Sequence, residues 1–318
     1  MLHLLYLPVL TLFILLYFQI AVKHKIIDKP NQRSSHTRIT VRGAGIIFPA
    51  ALLIHYLISG FNFTMFILGL VLISTVSFYD DLKPLSNKIR IIVHLIAVTL
   101  IFMQTDLLSY PVWIIFLSYI LVIGTINAYN FMDGINGITG VYSLITILSL
   151  YYINEFQFSF VNTDWLIVSA MALLAFNFFN FRKTAKCFAG DVGSVSMAFI
   201  IIFFLLTLII QSGDLKYIGL LLVYGLDTVI TIIFRLIRRE NIFEAHRSHF
   251  YQYLANSRSW PHLLVSTCYA LVQLLINVLL LNYALTTFDF LCLVILSGIV
   301  VVLMRVMVEG KQQLFNRT

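Results

Sequence analysis

A polar, glycine-rich segment interrupts two apolar stretches in the middle of the chain. Residues 127–140 read NAYNFMDGINGITG, with polar side chains at every third position: Asn127, Asn130, Asp133 and Asn136. On a helix of about 3.6 residues per turn, the first three fall within about 120° of arc, whereas the fourth has drifted to the opposite side. Gly134 and Gly137, which follow Asp133 and Asn136, are expected to end the helix there. The segment predicts a ligand-facing wall, and a glycine-capped amphipathic helix end is the alternative.

Carboxylates at two other places suit a metal-assisted phosphoryl reaction. Asp80 and Asp81 are adjacent at the end of an apolar run, where a divalent cation or a lysine would relieve their repulsion; a solvated loop pair is the alternative. Lys88 and Arg90 follow, either to hold substrate phosphates or to mark the membrane boundary. Asp191 lies in the run GDVGS at a predicted helix start, as a metal ligand or as a simple helix cap.

Basic side chains form a further cluster near the end of the chain. His246 and His249 are three residues apart with Arg247 between them, which predicts one helical face. Two imidazoles and a guanidinium suit a diphosphate, and a solvent-facing helix with incidental histidines is the alternative. Asp227 lies inside an apolar segment, where a carboxylate needs a partner or a cavity. Arg235 is too far along the same helix, so we expect another helix to supply the partner.

The elements that must position these groups are membrane helices. The 318 residues are 60% hydrophobic and 11% charged, with a mean hydropathy of +0.94, which indicates a polytopic membrane protein. Eleven segments are candidates for spanning helices: 2–22, 44–60, 62–79, 89–105, 110–126, 138–153, 165–180, 195–211, 216–237, 263–282 and 288–308. The first has no basic region before it, so we do not expect a cleaved signal peptide. The prediction is an all-α helix bundle forming a single transmembrane catalytic domain over residues 1–318.

The distribution of positive charge orients this bundle. If the loops alternate between the two sides, all of the 21 Lys and Arg residues except Lys216 fall on one side. Positive loops stay in the cytoplasm, so the N-terminus is predicted outside and the C-terminus inside. The active site is then built from five cytoplasmic loops: 23–43, 80–90, 127–137, 181–194 and 238–261. No basic domain with aromatic platforms is present, which argues against nucleic acid, and the three cysteines show no metal-site spacing.

In order, the motifs resemble those of the polyprenyl-phosphate N-acetylhexosamine-1-phosphate transferases. The resemblance covers nearly the whole chain and rests on four ordered runs: DKPNQRSSHTRITVRGAG (28–45), FYDDLKPLSNKIR (78–90), NAYNFMDGINGITG (127–140) and CFAGDVGS (187–194). The run AHRSHFYQ (245–252) is similar to the subgroup that initiates bacterial surface polysaccharides.

This resemblance implies roles for particular residues. It implies that Asp191 binds a metal ion, which is Mg²⁺ or, as a substitute, Mn²⁺. It implies a catalytic group at the reaction centre: Asp80, Asp81, Asp133, His246 and His249. It implies that Phe188 stacks on uracil. The substrate-binding residues that it implies are Asn127, Asn130, Asn136, Phe188, Lys88 and Arg247. Many members carry a second carboxylate where this chain has Asn136, whose amide brings no charge.

The implied activity is transfer of a sugar-1-phosphate from a UDP-N-acetylhexosamine to undecaprenyl phosphate, giving a lipid-linked diphosphosugar and UMP. Such a protein would initiate an O-antigen-like or wall glycan in the bacterial inner (cytoplasmic) membrane, and a homodimer is compatible with the resemblance. The sequence leaves open which UDP-sugar is used, whether Asp80 or Asp81 acts as a base, and what Asp227 does. A transporter or lipid flippase with an intramembrane acidic site is the alternative function.

Overall fold

A bundle of long helices accounts for almost all of the chain. The computed structural model describes residues 3–29, 38–242, 244 and 246–316. Its α-helices are α1 (His3–Lys23), α2 (Ile47–Ile58), α3 (Thr64–Leu82), α4 (Asn87–Gln104), α5 (Val112–Met132), α6 (Ile138–Phe156), α7 (Thr163–Asn180), α8 (Gly190–Ser212), α9 (Leu222–Ile237), α10 (Phe250–Gln252), α11 (His262–Asn282), α12 (Thr287–Glu309) and α13 (Lys311–Phe315). Short 3₁₀ segments precede α2 and α9 at Ala44–Ile46 and Leu215–Leu221. Residues 30–37 of the predicted loop 23–43, and residues 243 and 245 of the predicted loop 238–261, lie outside the described residues.

The prediction of an all-α membrane bundle is confirmed. Within the described residues, nine helices are long and apolar enough to cross a bilayer: α1, α3, α4, α5, α7, α8, α9 with the 3₁₀ turn before it, α11 and α12. Each of the eleven predicted segments overlaps a helix. The two segments outside this group of nine, 44–60 and 138–153, correspond to the shorter apolar helix α2 and to α6. In the same residues, the strands are limited to an antiparallel pair, β1 (Ile27–Asp28) and β2 (Thr40–Val41). The number of spans and the orientation of the termini stay predictions.

Helix α8 forms the centre of the bundle. It is apolar around its whole circumference, as expected of a helix enclosed by others, and it packs against α2, α3, α5 and α6. Phe66 of α3 stacks on Phe203 of α8 with ring centroids 3.9 Å apart. In contrast, α12 leaves most of its apolar surface exposed, as a lipid-facing helix does. The start of α8 is therefore surrounded by the ends of its neighbours.

Backbone contacts bring two predicted loops together at the start of α8. The amide of Phe188 donates to the Val41 carbonyl at 2.8 Å, and the amide of Ala44 donates to the Phe188 carbonyl at 3.0 Å. Gly45 and Gly193 pack so closely that a Cβ on Gly45 would overlap the Gly193 Cα. Only glycine allows this approach between the entry to α2 and the first turn of α8. The loops before and after these positions are thus held at one end of the bundle.

Candidate active site

The first turn of α8 is capped by a carboxylate from another helix. Asp81, in the last turn of α3, accepts hydrogen bonds from the amides of Asp191 at 2.9 Å and Val192 at 3.0 Å. These amides are among those that an α-helix leaves without partners, and the N-terminal dipole favours a negative charge beside them. The Asp81 side chain is 0% exposed. Gly190 has a φ of +72°, and a Cβ there would lie 2.5 Å from Asp81 Oδ2.

Arg42 joins two of the predicted acidic residues. Its Nε lies 2.7 Å from Asp81 Oδ1, and its Nη2 lies 3.2 Å from Asp191 Oδ1. The guanidinium therefore balances the repulsion between two carboxylates that the fold places side by side. Sequence reasoning counted Arg42 only as a topological charge. Its position directly after strand β2 gives no local signal, because its partners come from α3 and α8.

Asp80 faces a different set of partners from its neighbour. Its carboxylate accepts from the Leu85 amide at 2.5 Å and pairs with Arg90 Nη1 at 3.3 Å. It also lies near the Asp191 side chain. Lys88, two residues before Arg90 in the first turn of α4, is exposed. The two adjacent aspartates thus differ: Asp81 binds the first turn of α8, and Asp80 pairs with the start of α4.

Asp133 completes the acidic group from the end of α5. It is the residue that terminates this helix, as the glycines after it predict. Burial raises the pKa of the Asp133 carboxyl to about 7, and the charges of Asp191 and Asp81 add to the rise. The carboxyl group is buried, and the residue as a whole is partly exposed. A group in this state binds a proton or a cation readily at neutral pH.

The three amides of the central segment occupy two kinds of position. Asn127 and Asn130 are partly buried on α5, and the Ser194 hydroxyl donates to Asn130 Oδ1 at 3.0 Å. Asn136 is 5% exposed, and its side-chain nitrogen donates to the Arg182 carbonyl at 2.9 Å. The geometry therefore favours a bracing role for Asn136 over the predicted substrate contact. The helical periodicity separates Asn136 from the first three side chains, as the structure does. Its partner, the Arg182 carbonyl in the loop after α7, could not be predicted from the sequence.

A second brace was missed altogether. Asn180, the last residue of α7, accepts from the Gly137 amide at 2.8 Å and donates to the Cys187 carbonyl at 2.8 Å. It links the central segment to the loop that precedes α8, whose half-buried Phe188 is the predicted uracil platform. An asparagine at a helix end has many ordinary uses, so the sequence carries no specific signal for this one.

The acidic cluster has the composition of a site for a hard divalent cation. Its four carboxylates face two guanidinium groups, those of Arg42 and Arg90. Among the described residues, no group of three or more His, Cys, Asp and Glu side chains is arranged to hold a metal. Mg²⁺, however, usually binds one or two protein carboxylates and keeps water or substrate phosphate as its other ligands. Asp191, whose side chain is 21% exposed, fits that requirement.

The histidines meet, but not on a helix. The predicted helical face is wrong, because residues 246–248 are not helical and His249 is the N-cap of α10. The rings of His246 and His249 nevertheless lie 5.0 Å apart at an interplanar angle of 27°. Both rings lie beside Phe131, two residues before Asp133, at centroid distances of 6.0 and 6.2 Å. Burial, reinforced by His249, lowers the pKa of His246 to about 4. Arg247 between them is partly buried.

Asp227 is satisfied by other segments, as the sequence requires. It is 2% exposed, and its carboxylate accepts from the Tyr269 hydroxyl of α11 at 2.6 Å and from the Phe250 amide at 3.0 Å. His249 Nδ1 lies 3.3 Å from the same group. The expectation of a partner from outside its own helix is therefore confirmed.

Together, the fold and the site define a polytopic helical membrane protein with an acidic cluster, two arginines and paired histidines at one end of the bundle. Residues 63–209 match the family model described as glycosyl transferase family 4. Among curated relatives, the chain is 26% identical over 291 residues to an undecaprenyl-phosphate alpha-N-acetylglucosaminyl 1-phosphate transferase of Thermotoga maritima, covering 87% of this chain and 89% of the relative. It is 26% identical over 216 residues to the protein of the same name from Salmonella typhi, covering 62% of this chain and 59% of that relative. These matches confirm the resemblance to the polyprenyl-phosphate hexosamine-1-phosphate transferase family.

Proposed function

We propose that this protein transfers an N-acetylhexosamine-1-phosphate from a UDP-sugar to undecaprenyl phosphate, giving a lipid-linked diphosphosugar and UMP. The observation that carries the proposal is the meeting of Asp80, Asp81, Asp133 and Asp191 around Arg42 at the start of α8. Such a cluster supports chemistry on a substrate rich in phosphate oxygens and a divalent cation. The names of the matched relatives supply the acceptor and the kind of group transferred.

In the proposed reaction, an oxygen of the lipid phosphate attacks the phosphorus next to the sugar. The bond from that phosphorus to the bridging oxygen breaks, and UMP leaves with this oxygen. Mg²⁺ held at Asp191 would neutralise charge on the diphosphate when bound. A phosphate monoester is already an adequate nucleophile, so the protein contributes mainly position and electrostatics.

The contacts of the two adjacent aspartates assign them different work. Both Asp81 oxygens accept from α8 amides, and one also pairs with Arg42. Asp81 therefore holds the Asp191 turn in place. Asp80, which contacts no α8 amide, is the carboxylate that would orient the lipid phosphate or accept its proton. Arg42, which pairs with Asp191, keeps that carboxylate beside Asp80.

The remaining side chains would bind the donor. Asn127 and Asn130 lie on one face of α5 beside Asp133, and they are proposed to line the nucleotide pocket, with Phe188 stacking on uracil. Lys88, exposed in the first turn of α4, would contact phosphate. The paired rings of His246 and His249, with Arg247, would face the diphosphate or the sugar. This arrangement would operate at the cytoplasmic face of the bacterial inner membrane, at the first step of a cell-envelope polysaccharide.

The direct test is UMP release by purified protein in detergent. The assay contains undecaprenyl phosphate, Mg²⁺ and one UDP-sugar at a time, beginning with UDP-N-acetylglucosamine and its C4 epimer, UDP-N-acetylgalactosamine. Release that requires both the lipid phosphate and the divalent cation supports the proposal, and the panel identifies the sugar. Undiminished turnover in both Asp80→Asn and Asp191→Asn would contradict it.

The same assay separates an enzyme from a transporter. Transport needs two compartments, whereas a detergent micelle provides none, so product formation there excludes transport as the main activity. Among the described residues, the acidic cluster lies at one end of the bundle and Asp227 is closed off by its hydrogen bonds. Neither feature resembles an ion path that opens alternately to both sides.

A further inference from the structure

We propose that Asp227 is a positioning residue for His249: it holds the ring with Nδ1 protonated, leaves Nε2 as the nitrogen available to a phosphate oxygen of the substrate, and pairs with the imidazolium. This inference rests on the proposed function, because it assigns His249 to the diphosphate end of that site. It gives a role to a buried acid that the acidic cluster does not use.

The donors around Asp227 fix the direction of its hydrogen bonds. They reach both carboxylate oxygens from the same helix, from the start of α10 and from α11: Thr231 Oγ1, His249 Nδ1, Phe250 N, Tyr251 N and Tyr269 Oη. The two backbone amides can only donate, so Asp227 must accept and its ionised form is favoured. The hydrogen between Asp227 Oδ1 and His249 Nδ1, 3.3 Å apart, therefore belongs to the ring. Protonation of Nδ1 makes Nε2 the acceptor in the neutral imidazole.

Arg305 anchors the segment that carries His249. It is 1% exposed; its Nη1 donates to Thr231 Oγ1 at 2.7 Å and its Nη2 donates to the Ser248 carbonyl at 2.7 Å. Glu309 balances its charge from the next turn of α12, at 2.5 Å from Nε. Ser248 is adjacent to His249 in the chain, so α9 and α12 together fix the backbone on either side of the ring. The titratable groups that face the pair are therefore those of Tyr251, Tyr269, Arg305, Glu309 and His246.

The free end of the ring points to a ligand. His249 is 2% exposed, and within the described part of the chain its Nε2 has no hydrogen-bond partner. Buried polar atoms in native proteins generally have a hydrogen-bond partner, so we infer that a ligand atom supplies the partner of Nε2. The Tyr251 hydroxyl donates to the Phe131 carbonyl at 2.7 Å, which ties this segment to the end of α5 beside Asp133. An imidazolium paired with Asp227 would donate from Nε2 to an anionic oxygen.

The first experiment reads the tautomer without using activity. Protein labelled with ¹⁵N at histidine is studied by NMR in detergent, and the His249 signals are assigned by their loss in His249→Gln. We expect a protonated Nδ1 at every pH at which the protein is folded. An unprotonated Nδ1 would overturn the inference, whether or not the protein releases UMP.

The second experiment measures kinetics in the four proteins of a double-mutant cycle, once the wild type has been shown to release UMP. If it does not, the proposed function fails and the tautomer result stands alone. We expect Asp227→Asn to lower kcat by about 100-fold, with a smaller change in KM, since one preorganised donor to developing negative charge contributes on that order. In the His249→Gln background the same substitution should change kcat by no more than about twofold.

The matched control is Tyr269→Phe, which removes a hydrogen bond to Asp227 on the oxygen that does not face His249. It should lose thermal stability yet keep kcat within about twofold of the wild type. Equal losses of kcat in Tyr269→Phe and Asp227→Asn, or an undiminished effect of Asp227→Asn without His249, would reduce Asp227 to a structural brace and refute the assignment.

Discussion

The substitution Asp81→Asn tests whether this carboxylate holds the start of α8. Asp81 accepts from two α8 amides at 2.9 and 3.0 Å and pairs with Arg42 at 2.7 Å. An amide in its place must turn its NH₂ group toward one of these donors, and it loses the negative charge beside the helix dipole. Both effects should lower the stability of the folded protein and displace Asp191.

The size of the effect follows from these contacts. Loss of an N-cap acceptor costs about 0.5–2 kcal/mol. Breaking a fully buried ion pair costs about 3–5 kcal/mol, but the Arg42 side chain is 35% exposed and keeps Asp191 as a partner, so the cost is lower here. We expect a total of about 2–4 kcal/mol.

Asp80→Asn, the same change one residue earlier, is the matched control. It removes a single ion pair, that with Arg90 at 3.3 Å, and no hydrogen bond to the α8 amides, while the asparagine oxygen can still accept from the Leu85 amide. Thermal unfolding in detergent and UMP release are measured on both variants. We expect Asp81→Asn to lower both Tm and turnover, and Asp80→Asn to lower turnover with little change in Tm. A wild-type Tm in Asp81→Asn would refute the capping role.

The same geometry predicts outcomes at three other residues. Gly190→Ala should lower Tm, because its φ of +72° disfavours a side chain and the new Cβ would meet Asp81, whereas Gly213→Ala, with a φ of +70° and open space, should cost less; equal losses would contradict the contact. Since the pKa of His246 is lowered to about 4, its ¹⁵N signals should stay those of a neutral ring between about pH 6 and 8, and a titration in that range would count against its burial. The Asp133 carboxyl, with a pKa of about 7 when folded and 3.8 as its ordinary value, holds a proton in the native state that the unfolded chain releases. Without divalent cation, Tm should therefore rise as pH falls from about 8 to 5, and Asp133→Asn should flatten this slope; an unchanged slope would contradict the assignment.

Residue types and their spacing were enough for the fold class and for the acids that the structure brings together at the start of α8. Long apolar runs can satisfy their backbone in a membrane only as helices, so the segments predicted from hydropathy coincide with helices in the structure. Boundaries were less certain: α8 begins at Gly190, five residues before the predicted segment, because its polar first turn has no hydropathic signal. Local periodicity also separated Asn127, Asn130 and Asp133 from Asn136 correctly.

Contacts between distant segments decided the rest. His246 and His249 have the spacing of a helical face, but the backbone there follows Asp227 and Arg305 instead of helix propensity. Arg42 is a site residue because α3 and α8 bring Asp81 and Asp191 to it, and nothing in its neighbourhood along the chain indicates this. The sequence by itself determined a helical membrane bundle with acids and bases near its helix ends, since burial of apolar side chains and backbone hydrogen bonding are local requirements. The tertiary structure alone decided which of those groups share hydrogen bonds and charge, because these interactions depend on distances between side chains that lie far apart in the chain.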